Sequence, residues 1–202
     1  MASALFDWSA LLPHLGRRCI DINVTDLINR LDRPIALVGM MGAGKSTIGR
    51  RLAKHLDLDF VDSDDAIGEA SGLSAGEVFS KYGEADFRDG ERRIIGRLLD
   101  QGVQVIATGG GAFANPETHK LLKERALTIW LDAAVDVIVQ RTAGRDTRPL
   151  LRTADPRATI ERLMEVRRPF YSQADIHVTS TNVAHREVVG WIVDAIEKFL
   201  AR

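Results

Sequence analysis

The amino-acid sequence predicts an α/β fold in which a parallel β-sheet is covered by helices on both faces. Short, continuous apolar runs such as residues 35–38 (Ile-Ala-Leu-Val) are typical of strands that are buried on both sides. Between these runs lie segments in which apolar residues recur every three or four positions, the period of an amphipathic helix. Because strands and helices alternate, the strands are expected to run parallel, with ligands bound at their C-terminal ends.

Each element can be placed from its own pattern. Five strands are expected, at residues 35–38, 59–62, 103–108, 127–131 and 176–179. Helices are expected at residues 45–56, from 65, from 74, and at 87–98, 116–124, 134–142, 156–168 and 188–199. Ser74-x-x-Glu77 is a capping box, and Asp155-Pro156 is an N-cap followed by a first helical residue. Pro169 is expected to end the helix that begins at Pro156.

The chain divides at Pro34. Residues 34–202 are expected to form one domain, and 202 residues suffice for one substantial core. Residues 1–33 are expected to be an extension. Within it, residues 24–31 fit a short amphipathic helix with Leu27, Ile28 and Leu31 on one face, which could pack on an apolar groove.

Composition excludes several classes of function. The formal net charge is −1, so no overall basic field favours nucleic acid or an anionic membrane surface. No apolar run approaches the ~20 residues of a membrane span, and the N-terminus lacks the basic region of a secretory signal. Cys19 is the sole cysteine, which excludes an internal disulfide and fits a reducing compartment. We therefore expect a cytoplasmic protein without nucleic-acid or membrane partners.

A phosphate-binding loop follows the first expected strand. Gly39-Met-Met-Gly-Ala-Gly44-Lys45-Ser46 satisfies G-x-x-x-x-G-K-[ST] between a strand and a helix. Glycines let backbone N–H groups approach phosphate oxygens, and the helix N-terminus adds partial positive charge. Lys45 is expected to reach the β- and γ-phosphates and Ser46 to bind Mg²⁺. The alternative is a tight turn that happens to contain Lys-Ser, and the motif alone does not distinguish a kinase from other nucleotide-binding proteins.

Further polar groups recur where the expected strands end and on the helices. Arg88 and Glu91 are three apart on a helix and share a face, although such a pair can also be an ordinary surface ion pair. Asp62 and Asp64 could equally be solvated carboxylates, and residues 109–111 (Gly-Gly-Gly) a flexible turn. The segment 145–157 is rich in arginine and could close over a nucleotide and stabilise charge on a moving phosphoryl group.

In their order and spacing, these motifs resemble those of the shikimate kinases. The matching segments are Gly39-Met-Met-Gly-Ala-Gly-Lys-Ser-Thr-Ile-Gly49, Asp62-Ser-Asp64, Phe87-Arg88-x-x-Glu91, Gly109-Gly-Gly111, Arg148-Pro-Leu-Leu151 and Arg167-x-Pro-x-Tyr171. The resemblance covers roughly residues 34–200. It implies a P-loop kinase fold with a five-stranded parallel sheet and a mobile lid, and transfer of the γ-phosphoryl group of ATP to the 3-hydroxyl of shikimate.

The resemblance also implies roles for residues at the substrate end. Asp64 would hydrogen-bond a shikimate hydroxyl near the one that attacks ATP, while Arg88 and Arg167 would grip the carboxylate. The backbone N–H of Gly110, between Gly109 and Gly111, would face the substrate. A carboxylate bearing hydroxyls does require guanidinium donors at one end and an acceptor at the other.

At the nucleotide end, the implied ATP-binding residues are Gly42, Ala43, Gly44, Lys45, Ser46, Thr47, Arg141 and Arg148. Arg141 would lie against the adenine, and Arg148, in the lid, would reach the transferring phosphoryl group. Asp62 would help Ser46 hold Mg²⁺, through water. The strand at residues 103–108 ends without the aspartate that usually helps to position this ion, as is normal in the family.

Two rival functions remain at this point. A gluconokinase of similar architecture would also act on a hydroxylated carboxylate, and a catalytically idle module would bind ATP without transferring phosphate. The motif combination favours shikimate, and intact Lys45, Ser46, Asp64 and Arg148 favour catalysis. We expect a monomer.

Overall fold

The sheet of the computed structural model has five strands, all parallel, in the order β2-β3-β1-β4-β5. The structure describes residues 24–143, 153–180 and 183–202. The strands are β1 (Ile35–Val38), β2 (Phe60–Asp62), β3 (Val105–Ala107), β4 (Leu127–Asp132) and β5 (Ile176–Thr179). The predicted α/β class and all five strands are confirmed.

Helices occupy the segments between the strands. They are α1 (Val24–Asn29), α2 (Lys45–Leu56), α3 (Ser63–Ser71), α4 (Ala75–Leu99), α5 (Pro116–Arg125), α6 (Val135–Thr142), α7 (Pro156–Tyr171) and α8 (His185–Leu200). A short 3₁₀ turn, Ala112–Ala114, follows the three glycines. Among the described residues, no helix combines the length and the apolar character that crossing a bilayer would demand.

Strand β1 lies at the centre of the sheet and positions the site. All four of its residues are buried, so both faces of the sheet are covered. It pairs with β3 in the register Leu37↔Ala107, and the Thr108 N–H donates to the Leu37 carbonyl at 3.1 Å. The loops that leave β1 and β3, at Gly39 and Gly109, therefore begin side by side at the same edge of the sheet.

Two predicted helix bounds were wrong. Helix α7 continues through Pro169 to Tyr171: the proline removes one i→i−4 hydrogen bond, and the burial of Arg167 and Tyr171 in the interior offsets that loss. Helix α3 begins at Ser63, where the Asp62 side chain caps the Asp64 N–H. The two helices expected between residues 74 and 98 both form within α4, where Gly83, with φ 84° and ψ 174°, is not helical and separates them.

The short helix α1 packs against the domain. Leu27 and Leu31 are buried in the main hydrophobic core, and Arg30 pairs with Glu197 of α8 at 2.7 Å. Residues 24–31 therefore pack on an apolar surface of the domain, which was the possibility that the sequence raised. The remainder of the predicted extension, residues 1–23, lies outside the described residues, as does Cys19.

Candidate active site

The phosphate-binding loop joins β1 to α2 and depends on backbone forms that favour glycine. Gly44 is the N-cap of α2 and has φ 99°. Gly39 has φ 133°, and a Cβ placed there would lie 2.6 Å from the Leu131 carbonyl oxygen. Any side chain at Gly39 would thus displace the loop from β4. The loop is held in a shape that presents backbone N–H groups at the start of a helix.

Lys45 is the first residue of α2, and its side chain folds back over the loop. Its ammonium donates to the carbonyls of Gly39 and Met40, both at 2.9 Å, and only 8% of the residue is exposed. The positive charge is therefore held at the loop itself, where the phosphates of a nucleotide would lie. The role of Lys45 in binding these phosphates stays a prediction.

Ser46 and Asp62 meet beside the loop. The Ser46 hydroxyl donates to Asp62 Oδ2 at 2.5 Å, and Asp62 Oδ1 accepts from the Asp64 N–H at 3.0 Å. Hydroxyl and carboxylate oxygens are the ligands that Mg²⁺ takes from proteins, usually one or two, with phosphate and water completing its shell. The donor set fits Mg²⁺, and the two predicted metal residues are brought together.

A cavity of about 270 Å³ opens between this loop and the glycines after β3. Its lining comprises Met41, Gly42, Gly44, Lys45, Ser46, Thr47, Asp62, Asp64, Ala75, Gly76, Phe79, Phe87, Arg88, Glu91, Thr108, Gly109, Gly110, Gly111 and Arg167. Most of the predicted nucleotide, metal and substrate residues therefore converge on one space.

Three predicted residues are not in that lining. Ala43 is buried within the loop, and Arg141 lies behind it, with Nη1 3.4 Å from the carbonyl oxygens of Gly42 and Ala43. Arg148 lies outside the described residues, together with most of the predicted lid.

The three glycines after β3 make room for other groups of the site. A Cβ on Gly109 would lie 3.0 Å from Asp64 Oδ1 and would overlap Glu91, and one on Gly110 would lie 2.9 Å from the Met41 nitrogen. A Cβ on Gly111 would lie 2.8 Å from Cζ of Arg88. The segment is therefore a close-packed wall, which the alternative of a flexible turn does not explain.

Arg88 and Glu91 form an interior pair and not a surface one. Arg88 Nη1 donates to Glu91 Oε2 at 2.7 Å, and the exposed fractions of the two side chains are 14% and 0%. Glu91 Oε1 has no hydrogen-bond partner among the described residues. Burial raises the pKa of the Glu91 carboxyl and the nearby Asp64 adds to this, while Arg88 acts in the opposite direction.

Arg167 reaches the same wall from helix α7. Its Nη1 donates to the Gly110 carbonyl at 3.1 Å, and the residue is 7% exposed. The Tyr171 hydroxyl, one helical turn further on, donates to that carbonyl at 2.5 Å. Two guanidinium groups, from Arg88 and Arg167, therefore flank the glycines, as recognition of a carboxylate requires.

Sequence reasoning missed the apolar side of the cavity. Phe79 and Phe87 pack edge to face with ring centroids 5.5 Å apart, beside Ala75 and Gly76 at the start of α4. Phe87 stands in the motif Phe87-Arg88-x-x-Glu91 but was given no role, and nothing in the sequence distinguished Phe79 from an ordinary core residue. The cavity thus offers a cationic end, an acidic group at Asp64 and an apolar wall, which suits a small hydroxylated carboxylate.

The chain resembles known kinases over most of its length. The family model described as "Shikimate kinase" matches residues 41–197. A shikimate kinase from Rhodopseudomonas palustris is 50% identical over 169 residues, which are 84% of this chain and 83% of the relative. A solved structure of a shikimate kinase from Acinetobacter baumannii in complex with shikimate has a TM-score of 0.82 at 34% identity, covering 85% and 96% of the two chains. A gluconokinase from Sinorhizobium meliloti has a TM-score of 0.58 at 17% identity over 83% and 93%, a likeness of fold alone.

Proposed function

The chain belongs to the shikimate kinase family and is an ATP-dependent small-molecule kinase, and we propose that it transfers the γ-phosphoryl group of ATP to the 3-hydroxyl of shikimate. This step belongs to the pathway that leads to chorismate and the aromatic amino acids. Support comes from the likeness to shikimate kinases and from the convergence of the site residues.

One observation carries the proposal. A single cavity is lined by Lys45 and Ser46 of the phosphate-binding loop, by the guanidinium groups of Arg88 and Arg167, and by the Asp64 carboxylate. Groups suited to phosphate and groups suited to a carboxylate therefore share a cavity of about 270 Å³, a space that suits one small ring compound beside a nucleotide phosphate. Positioning and electrostatic stabilisation account for most catalysis of phosphoryl transfer.

The residues of the cavity divide the work. Asp64 accepts a hydrogen bond from the attacking hydroxyl, orients it and takes up its proton. Arg88 and Arg167 hold the carboxylate by charge-assisted hydrogen bonds, together with backbone N–H groups of the glycine wall at Gly109, Gly110 and Gly111. Lys45 stabilises negative charge that develops on the phosphoryl oxygens.

Ser46 and Asp62 are the groups that would hold Mg²⁺. When bound, the ion supplies charge neutralisation between the β- and γ-phosphates. Gly42, Ala43, Gly44 and Thr47 contribute the rest of the loop that receives the phosphates. Arg141 lies beside this loop, 3.4 Å from the carbonyl oxygens of Gly42 and Ala43, and we assign it to nucleotide binding against the adenine.

The remaining assignments are also proposals. Arg148, in a mobile lid, would reach the phosphoryl group in transit. The catalytic domain is residues 34–202, with residues 1–33 as an extension whose helix α1 packs on it. The net charge of −1 and the single cysteine support a cytoplasmic protein without nucleic-acid or membrane partners. We also propose a monomer.

A steady-state assay tests the function against its rivals. The full chain is given ATP with shikimate, and separately ATP with gluconate, while ADP release is followed. We expect turnover with shikimate and at least a hundredfold lower kcat/KM with gluconate. Preference for gluconate would establish the second kinase class, and nucleotide binding without turnover would establish the idle module.

A matched pair of variants makes that assay specific. Lys45→Ala should abolish most turnover, because the ammonium acts on phosphate charge. Lys54→Ala, on the exposed side of the same helix, should behave as wild type. Equal activity of both variants would remove Lys45 from catalysis.

A further inference from the structure

The carbonyl oxygen of Gly110 accepts two hydrogen bonds from the side chains of α7. Arg167 Nη1 donates at 3.1 Å and the Tyr171 hydroxyl at 2.5 Å. On the other side of Gly110, the Ala112 N–H donates to the Gly109 carbonyl at 3.1 Å. Both peptide groups that flank Gly110 are therefore anchored, which sets the directions of the N–H groups of Gly110 and Gly111.

The two donors on Gly110 are not equivalent. Arg167 lines the cavity, so a bound carboxylate competes for its guanidinium. Tyr171 is 0% exposed and does not line the cavity, so the substrate cannot draw its hydroxyl away. When Arg167 turns to the substrate, Tyr171 is left as the side-chain donor that holds this peptide group.

Packing keeps the Tyr171 ring in place. The Trp130 ring stacks on it with centroids 5.9 Å apart, and Trp130 Cδ1 lies 3.2 Å from where a Cβ of Gly39 would be. Gly110 is itself against Met41 of the phosphate-binding loop. The Tyr171 side chain therefore lies where the three glycines at 109–111 meet the phosphate-binding loop.

We propose that Tyr171 is a positioning residue: it fixes the peptide group that follows Gly110, so that this segment faces the carboxylate of the substrate, and it does not touch the substrate itself. The inference rests on the proposed function, because it names a determinant of carboxylate recognition in that same site. Burial raises the pKa of Tyr171 to about 12, so the hydroxyl remains a hydrogen-bond donor at any pH at which the enzyme works.

The first experiment compares an acid with its ester. Tyr171→Phe retains the ring and loses only the hydroxyl. We expect the KM and Kd for shikimate to rise about three- to tenfold, the range for one hydrogen bond, with the KM for ATP within twofold of wild type. The kcat/KM for shikimate methyl ester, which lacks the carboxylate charge, should change far less than that for shikimate. Tyr82→Phe, with an exposed ring, is the matched control.

Three outcomes would overturn the inference. In the first, Tyr171→Phe lowers kcat/KM equally for shikimate and for its methyl ester. In the second, the KM for ATP rises as much as the KM for shikimate. In the third, the Tm falls while the kinetic constants stay unchanged, which would make Tyr171 a packing residue. Absence of shikimate turnover in the wild type would instead refute the proposed function itself. The two failures are therefore distinguishable.

A second measurement does not depend on how well Tyr171→Phe folds. The chain contains two tyrosines, so 3-fluorotyrosine incorporated into the Tyr82→Phe variant labels Tyr171 alone. We expect the ¹⁹F resonance to shift when shikimate saturates the site and to shift less with the methyl ester. A resonance that does not respond to shikimate would contradict a role in positioning.

Discussion

The Ser46 hydroxyl donates a 2.5 Å hydrogen bond to Asp62 Oδ2, across 16 positions of the chain. The contact joins the first turn of α2 to the end of β2 and gathers two hard oxygen ligands at the phosphate-binding loop. On the proposed assignment, Asp62 supplies the carboxylate that the end of β3 lacks.

Asp62→Asn should raise the Mg²⁺ concentration that gives half-maximal activity, because an amide retains the shape but loses the charge that attracts the ion. We expect a shift of about tenfold or more, since hydrogen bonds and ligand contacts of charged groups are worth about 1.5–3 kcal/mol. Initial rates over a Mg²⁺ titration measure it. Asp59→Asn, an exposed carboxylate before β2, should leave the titration curve in place. If the Mg²⁺ titration curves of the wild type, Asp62→Asn and Asp59→Asn coincide, Asp62 does not belong to the metal site.

Asp64→Asn should lower kcat by roughly 10²–10⁴, the range for general base catalysis, while the Kd for ATP stays within a few-fold. The amide can still accept a hydrogen bond from a hydroxyl but cannot take up its proton. Single-turnover rates and nucleotide titrations measure the two effects. The neighbouring Asp65 forms an exposed pair with Arg50 at 3.4 Å, so Asp65→Asn is the control. Retention of more than about a tenth of kcat in Asp64→Asn would show that Asp64 is not the base.

Arg88→Lys should fail as a conservative substitution. Lysine keeps the charge, but it cannot form the planar fork that holds a carboxylate and pairs with Glu91 at the same time. We expect the KM for shikimate to rise at least tenfold and the KM for ATP to change little. Arg93→Lys, on the exposed side of α4, is the control. An unchanged shikimate KM would mean that Arg88 is a structural residue only.

Glu91→Gln should change how stability depends on pH. The folded-state pKa of Glu91 is raised by burial, so its contribution is fully present below the unfolded pKa and is lost as pH rises through the folded value. The Tm of the wild type relative to Glu91→Gln should therefore fall with rising pH, by about 2–4 °C for each kcal/mol. Glu124→Gln, at an exposed position, is the matched control. The opposite slope would show that Arg88 outweighs burial and keeps Glu91 ionised.

Deletion of residues 1–33 should leave an active kinase of lower stability. The deletion removes Leu27 and Leu31 from the core, at about 1.5–3 kcal/mol for each fully buried leucine, together with the Arg30–Glu197 pair. We expect kcat within a few-fold of the full chain and a Tm lower by several degrees. Deletion of residues 1–23, which retains α1, is the matched control and should keep the Tm nearer to that of the full chain. A well-folded but inactive 34–202 chain would place part of the active site in the extension.

The sequence by itself determined the strands, the helices and the phosphate-binding loop, because each is encoded by residues that are contiguous or regularly spaced. The periods of helix and strand are local properties, and residues 39–46 carry their chemistry in one short segment. The resemblance to the shikimate kinases, and not any local period, assigned Asp62, Asp64, Arg88 and Arg167 to the site. Helix bounds failed where tertiary contacts outweighed a local rule, as at Pro169.

Only the tertiary structure decided how the residues of the candidate site come to lie together. The order of the strands places Gly39 beside Gly109, and this adjacency cannot be read from the period of either strand. The glycines at 109–111 are needed because Asp64, Glu91, Met41 and Arg88 press against them, although each of these comes from a distant part of the chain. The burial that separates Arg88–Glu91 from an ordinary surface pair, and the hydrogen bond from Tyr171 to Gly110, arise in the same way. Contacts of this kind depend on how elements pack across the sheet, which local sequence patterns do not encode.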